Sequence, residues 1–458
     1  MTKFTDYPKV SLLEGTETFL VAQNGSIKQC SIADIAAAAP NSAGVYPDVP
    51  LNRITIKRFS AQASGTVVAT DNLEMMNRIF SLFFPCLINR NSQIVAYLNG
   101  DDTTKTIDGL AATLDDYSMP CMVRIGGYYR KYEYDAVTNT KIEKYSVLPV
   151  KGYKYIRRRF FPMYAGEVEE QGGKKILTSN AGKWSTQNLN IQQFHEYAKN
   201  MGDNFRAIAI QDFNEYRKMF FMWKRSYNSQ AFYGITGFDW NKWNATANTQ
   251  SGKTSVAQPY INGVTKTIKG MEGQLAEQTF TYGDGSTIKY NPYKFLWAEG
   301  FLAGPFWIRC SGALKKNHKW YVAKDINTCA SWDATDDNHK YICDACKEEG
   351  YIMENFEDTM FPTQVGGSDS KGLFDYYWLN NTDVTSNFIP VVVGGAGNGS
   401  DVGVSALYSN NVVSYSNPNL GSALVFRKTE IARFAGQQFT DLWANYYTGK
   451  EVTSWRNI

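Results

Sequence analysis

Three observations on the chain are compatible with a mixed α+β fold. Two stripes of helical period lie close together, at 190–202 and 212–227. A Tyr-rich alternation at 122–134 favours strands over helix. Beyond residue 230, short strand-like runs are set among Gly, Asn, Trp and Tyr, with no long helical pattern until Thr429.

Residues 18–35 form a miniature unit: the apolar run Phe19-Leu20-Val21, the turn Asn24-Gly25, a short strand Ser26 to Cys30, then a helix opening at Ser31. Asn-Gly is the strongest short hairpin signal, because both turn positions need positive φ. Ser31 followed by Asp34 resembles a capping box with Asp in the usual Glu or Gln place. The turn-rich stretch Pro40 to Pro50 then separates a module at 1–38 from the rest. Asn190 caps the first long helix with Gln193 at its third position, the stripe is Ile191, Phe194, Ala198 and Met201, and Gly202 closes it. The second carries Phe213, Tyr216, Met219, Phe220 and Trp223. A last amphipathic stripe runs through Ile431, Phe434, Phe439, Leu442, Trp443 and Tyr446.

Residues 394–426 stand apart because 19 of these 33 positions are Gly, Ser, Asn or Tyr and only Asp401 is charged. Tyr supplies rigid amphipathic area, Ser and Asn adaptable hydrogen bonds, and Gly the turns, a composition typical of binding surfaces. A linker would lack Val402, Val404, Leu407, Leu420, Leu424 and Val425, which are suited to a core. The expected contact residues are Asn398, Ser400, Asp401, Ser405, Tyr408, Ser409, Asn410, Asn411, Tyr415 and Asn417.

Composition narrows the function. A net charge of +3 over 458 residues does not announce a nucleic-acid binder. No apolar run reaches the roughly 18 residues of a membrane span. The start MTKFTDYPKV lacks a secretory pattern, so a soluble product made in a cytosol is expected. Seven scattered cysteines fit reduced thiols better than a disulfide framework. Aromatic residues at 14% against three histidines favour recognition over proton transfer.

Several motifs together carry a resemblance: DGLAATLDDYSMPCMVRIGGYYRKYEY (108–134), NFRAIAIQDFNEYRKMFFMWKRSYNSQAFYGITG (204–237), KFLWAEGFLAGPFWIRC (294–310), NHKWYVAKD (317–325), FPTQVGGS (361–368) and GGAGNGS (394–400). In this order they resemble phage fibre proteins with a C-type-lectin-like domain. That group is related in fold to formylglycine-generating enzymes and to variable proteins diversified by retroelements. Residues 1–38 resemble the short anchoring module at the start of many phage fibre and spike proteins. The resemblance implies an α+β, C-type-lectin-like fold: two helices on a small antiparallel sheet, with long loops carrying the ligand surface. It also implies a virion-attached protein that meets the host with its distal domain. Where the family commonly has Trp after Gly-Gly-Ser and closes with Gly-Phe-Arg, this chain has Ala396-Gly397 and Gly421-Ser422-Ala423.

Other constellations carry plainer readings. The related enzymes use a late cysteine pair, but the polar segment has none; Cys310, Cys329, Cys343 and Cys346 lie earlier and are read as free thiols, so no catalysis is expected. Cys343-Asp-Ala-Cys346 is only half of a usual zinc pattern. Asp333, Asp336, Asp337 and Asn338 are read as a solvated acidic loop, since neither Glu-Pro-Asn nor Trp-Asn-Asp occurs. Lys151, Lys154, Arg157, Arg158 and Arg159, interleaved with Tyr153, Tyr155, Phe160 and Phe161, are read as a strand with one basic face. His195 is read as a partly exposed boundary residue. Glu167, Glu169 and Glu170 have no partner at a known separation.

The expected organisation is a virion-anchoring module at 1–38, a linker at 39–50, the main domain at 51–427 and a helical extension at 428–458. The expected function is a phage fibre, on head or tail, that recognises a bacterial surface glycan or protein non-covalently; a structural or decorative virion protein without receptor binding is the alternative, and a formylglycine-generating-type enzyme ranks third. Expected partners are other virion proteins through the N-terminus and further copies of the chain, a trimer being favoured. No cofactor, metal, nucleic acid or membrane insertion is expected. The protein would be assembled in the host cytoplasm and end in the virion.

Overall fold

The computed structural model describes residues 18–23, 26–31, 45–59, 68–69, 72–182, 185–230, 270–275, 278–281, 284–290, 293–302, 307–327, 330–395, 398, 401–417 and 419–427. Strand makes up 42% of it and helix 12%, in several sheets that include a curled eight-strand half-barrel. This overturns the expected C-type-lectin-like α+β fold of two helices on a small sheet. The two helices exist, but strands dominate the region read as irregular. Those strands are short and often buried on both faces. Phe388–Val393, for example, is buried at all six positions, so no period-two alternation marks it.

The hairpin near the start pairs Thr18–Gln23 with Ser26–Ser31, and Gln23 faces Ser26 as a two-residue connection requires. Ser31 is the last residue of the second strand; the helix expected after it lies outside the described residues, as does the stripe from Thr429 to Tyr446.

A five-stranded antiparallel sheet follows in the spatial order Lys154–Ile156, Tyr128–Asp135, Thr140–Ser146, Ile54–Phe59, Val68–Ala69. A six-stranded sheet runs Phe205–Ala207, Leu424–Phe426, Arg159–Pro162, Cys121–Ile125, Phe84–Ile88, Ile94–Tyr97. The Tyr-rich stretch is therefore two strands in two sheets. Gly126 and Gly127 make the change of sheet, both at φ 88°. A Cβ at Gly126 would fall 2.5 Å from the Arg157 carbonyl oxygen, so only glycine fits. The basic stretch likewise divides between the sheets, with Lys154–Ile156 in one and Arg159–Pro162 in the other, rather than forming one strand.

Helix α1 spans Leu73–Phe80, α2 Ile191–Met201 and α3 Ile210–Lys224. In α2 the capping box forms as expected: the Gln193 amide donates to Asn190 Oδ1 (2.9 Å) and the Asn190 amide to Gln193 Oε1 (3.0 Å). Such a cap is worth about 1 kcal/mol. The stripe Ile191, Phe194, Ala198 and Met201 is buried, and so is His195, which was expected at a boundary. Helix α3 differs from a surface helix. Asp212, Glu215, Arg217 and Lys218 are buried along with its apolar residues. Glu215 accepts from Tyr128 Oη and Arg130 Nη1 (both 2.7 Å), and Lys218 Nζ donates to Asp358 (2.6 Å). The Arg130 guanidinium holds the Glu215 carboxyl at about 2 against the cost of burial.

The ten-stranded sheet is ordered His339–Asp344, Lys319–Ala323, Ala313–Lys316, Phe388–Val393, Gly403–Val412, Tyr376–Leu379, Gly350–Asn355, Pro362–Val365, with Trp307–Arg309 on Phe388–Val393 and Leu420–Gly421 on Trp307–Arg309. One apolar cluster gathers α1 and α3 with Val392, Leu407 and Tyr377; a second gathers α2 with Trp307, Val391, Ala406 and Phe426. Among the described residues no helix is long and apolar enough to cross a membrane.

Candidate recognition face

Four strands of the ten-stranded sheet bring five aromatic rings onto one face. Tyr351 lies opposite Tyr376 in an antiparallel pair, and Trp378 lies opposite Tyr408 in a parallel pair. The rings form a continuous strip: Tyr351 to Tyr376 at 5.4 Å between centroids, Tyr376 to Trp378 at 4.6 Å, Trp378 to Trp307 at 5.2 Å and Trp307 to Tyr408 at 5.3 Å. Edge and tilted contacts of this kind hold aromatic rings in fixed orientations. Trp307 is buried and anchors the strip; the other four are half-buried, so each keeps surface for a partner.

Polar groups border the strip. At one end Tyr351 Oη donates to Asp401 Oδ1 (2.6 Å). Asn398 Oδ1 accepts from the Gly395 amide (3.1 Å), fixing the start of the glycine-rich segment. Asn410 hydrogen-bonds the Tyr408 hydroxyl, whose pKa burial nevertheless raises. At the other end, Asn417 Nδ2 donates to the exposed Tyr415 Oη (3.0 Å).

The contact residues expected from sequence divide by strand period. Tyr408 and Asn410 are half-buried on the aromatic face, and Asn398, Asp401, Tyr415 and Asn417 are at least partly exposed. Ser405, Ser409 and Asn411 are buried and point inward, because neighbouring residues of a strand face opposite sides. Ser409 Oγ donates to Tyr377 Oη (3.0 Å), and the Ser405 amide donates to Asp375 Oδ2 (2.6 Å). Ser400 lies outside the described residues. Sequence reasoning missed Trp307, Tyr351, Tyr376 and Trp378. The alternation in Tyr376-Tyr377-Trp378 was a usable signal, since it puts two rings on one face of a strand.

Beneath the face, Asp375 is fully buried between Ser405 and Gln230, whose Nε2 donates to Oδ1 (3.1 Å). Gly403 makes room for it: a Cβ there would stand 2.4 Å from Oδ1. Burial pushes the Asp375 carboxyl up to about 7, despite these donors. Burial also pushes His195 down to about 4. The two act on stability with opposite sign. The Asp375 contribution is present at low pH and lost as pH rises towards about 7; the His195 contribution is present above the ordinary histidine value and lost as pH falls towards about 4. A tenfold difference in proton affinity between the folded and unfolded chain is worth about 1.4 kcal/mol, so the two oppose each other in the acidic range. The difference in melting temperature between Asp375→Asn and the parent should therefore move in the variant's favour from pH 4 to pH 8. A pH-independent difference would count against a buried, raised Asp375.

The remaining constellations support little chemistry. Burial pushes the Cys343 thiol up to about 12 and the Cys310 thiol well above its ordinary value, the opposite of nucleophile activation. Cys329 lies outside the described residues. Among the described residues no three His, Cys, Asp or Glu side chains are grouped to hold a metal. In the acidic loop, Asp336 accepts from His339 Nδ1 (2.8 Å) and Asp333 from Lys316 Nζ (3.2 Å), so the loop's oxygens serve its own fold. The Glu167–Gln171 strand pairs with Lys174–Thr178, placing Glu170 opposite Lys175. No protein-family model matches the chain, and no curated protein matches it.

Proposed function

We propose that the chain is a phage fibre protein that binds a bacterial surface glycan non-covalently through the aromatic face. The observation that carries the binding reading is the strip Tyr351, Tyr376, Trp378, Tyr408 and Trp307, with Asp401, Asn398 and Asn410 beside it. Partly exposed rings in fixed orientations offer flat apolar contact to the C–H faces of sugars, and the bordering amides and carboxylate offer directional bonds to hydroxyls. The virion setting rests on the motif order and the short N-terminal module. Modest affinity per copy suits such a setting, because several copies on one particle raise avidity through effective concentration. The raised pKa values of the Cys310 and Cys343 thiols favour recognition over thiol chemistry.

The test is binding of the fluorescently labelled full chain to a panel of bacterial strains, before and after enzymatic removal of surface polysaccharide. Strain-selective binding that disappears with the polysaccharide is expected. Absence of binding to every strain of the host would replace this reading with a decorative virion role.

A further inference from the structure

Among the described residues Arg309 has no counter-charge. Its side chain is fully buried, at 0% exposure, and follows Trp307 by two residues on the same strand. Nη1 donates to the Tyr415 carbonyl oxygen, while Nε and Nη2 have no hydrogen-bond partner among the described residues. Arg58, Arg130 and Arg427 are also shielded, yet each meets a carboxylate: Glu354, Glu215 and Asp212 respectively. Burial brings the Arg309 pKa down to about 9, and among the described residues Tyr415 alone opposes it. Leaving donors of a buried cation unsatisfied is costly, and a structure that retains them invites an anion.

A partly exposed ring lies over this cation. Tyr415, 42% exposed, lies with its ring centroid 5.8 Å from the Arg309 guanidinium carbon. Val391 is the register partner of both Arg309 and Tyr408, so the backbone of Arg309 lies two strand spacings, about 10 Å, from Tyr408 and two residues, about 7 Å, from Trp307 in the strip. Both separations are within the reach of a short oligosaccharide lying on the rings.

We infer that Arg309 and Tyr415 form a covered carboxylate subsite, which makes the glycan bound on the aromatic face an acidic one containing uronic acid. This rests on the glycan-binding reading. Rotation of the Tyr415 ring away from the strand exposes the Nε and Nη2 edge, the pair of donors that grips a carboxylate side-on in two parallel bonds. The anion supplies the missing counter-charge, and the neutral ester of the same sugar does not.

Calorimetric titration of the full chain with trigalacturonate and with its methyl ester tests this. The parent is expected to bind the acid at least tenfold more tightly than the ester. Arg309→Met, which removes the buried charge at similar volume, should abolish the difference while leaving the ester's affinity unchanged, and Tyr415→Ala should raise the ratio of acid to ester affinity. Equal binding of acid and ester by the parent overturns the subsite and leaves the glycan reading standing. So does a preference for the acid that survives in Arg309→Met. If that variant does not fold, Tyr415→Ala decides: equal loss of acid and ester marks Tyr415 as a stacking residue and overturns the subsite. Binding of neither compound also overturns it, while the strain panel decides separately whether a glycan is bound at all.

Discussion

Replacing Asp212 by Ala is expected to cost about 3–5 kcal/mol of folding stability, the range for breaking a buried ion pair by removing one partner. Asp212 is 1% exposed and serves three segments that are distant in sequence. Its Oδ2 accepts from the Ala209 amide at the start of α3 (3.0 Å). Its Oδ1 accepts from Arg159 Nη1 (3.1 Å), and both oxygens accept from Arg427, which follows the last strand among the described residues. That strand, Leu424–Phe426, lies between Phe205–Ala207 and Arg159–Pro162. The carboxylate thus closes the strand Leu424–Phe426 onto the early half of the chain. Truncation leaves the Arg427 and Arg159 guanidinium groups unpaired, one of them almost wholly buried. Urea denaturation of the variant and of Asp212→Ala combined with Arg427→Met measures the effect. The double variant should recover part of the loss, because the stranded charge is gone. A loss below about 1 kcal/mol in the single variant would mean the clamp is not holding the fold.

The largest effect on binding is expected at Trp378. It contacts Tyr376 and Trp307 closely, and Tyr408 at 6.1 Å, so it occupies the middle of the strip. Central aromatic contacts dominate recognition energies, and truncating one commonly costs about 2 kcal/mol or more, roughly 30-fold in affinity. Trp378→Ala should lose that much binding to a responsive strain, and Trp378→Phe much less. Tyr134, 53% exposed on the five-stranded sheet, supplies the comparison: Tyr134→Ala should bind as the parent does. If the two alanine variants bind equally well, with both shown folded by melting temperature, the aromatic face is not the recognition surface.

Where the chemistry is local, the sequence was legible. The α2 capping box needs only Asn190 and Gln193 three residues apart, and the hairpin at 18–31 only its turn and flanking strands. The polar segment at 394–426 was legible as a class of surface, though not residue by residue. Tyr408 and Ser409 look alike as candidates, yet one faces the aromatic strip and the other Tyr377. A strand's direction decides between them, and that depends on pairing with Tyr376–Leu379 and Phe388–Val393 rather than on the segment itself.

By itself, the sequence determined where helices α2 and α3 form, and it marked the late region as rich in recognition residues. Only the tertiary structure decided that strands prevail over helices, that Trp307, Tyr351, Tyr376 and Trp378 meet, and that the charges of α3 are inside. It alone also decided that Arg309 is buried without a carboxylate. The reason is range. Caps and turns are satisfied by atoms a few residues away, whereas sheets, ring contacts and buried ion pairs join residues from tens to hundreds of positions apart. Burial on both faces then erases the alternation that would have announced the strands.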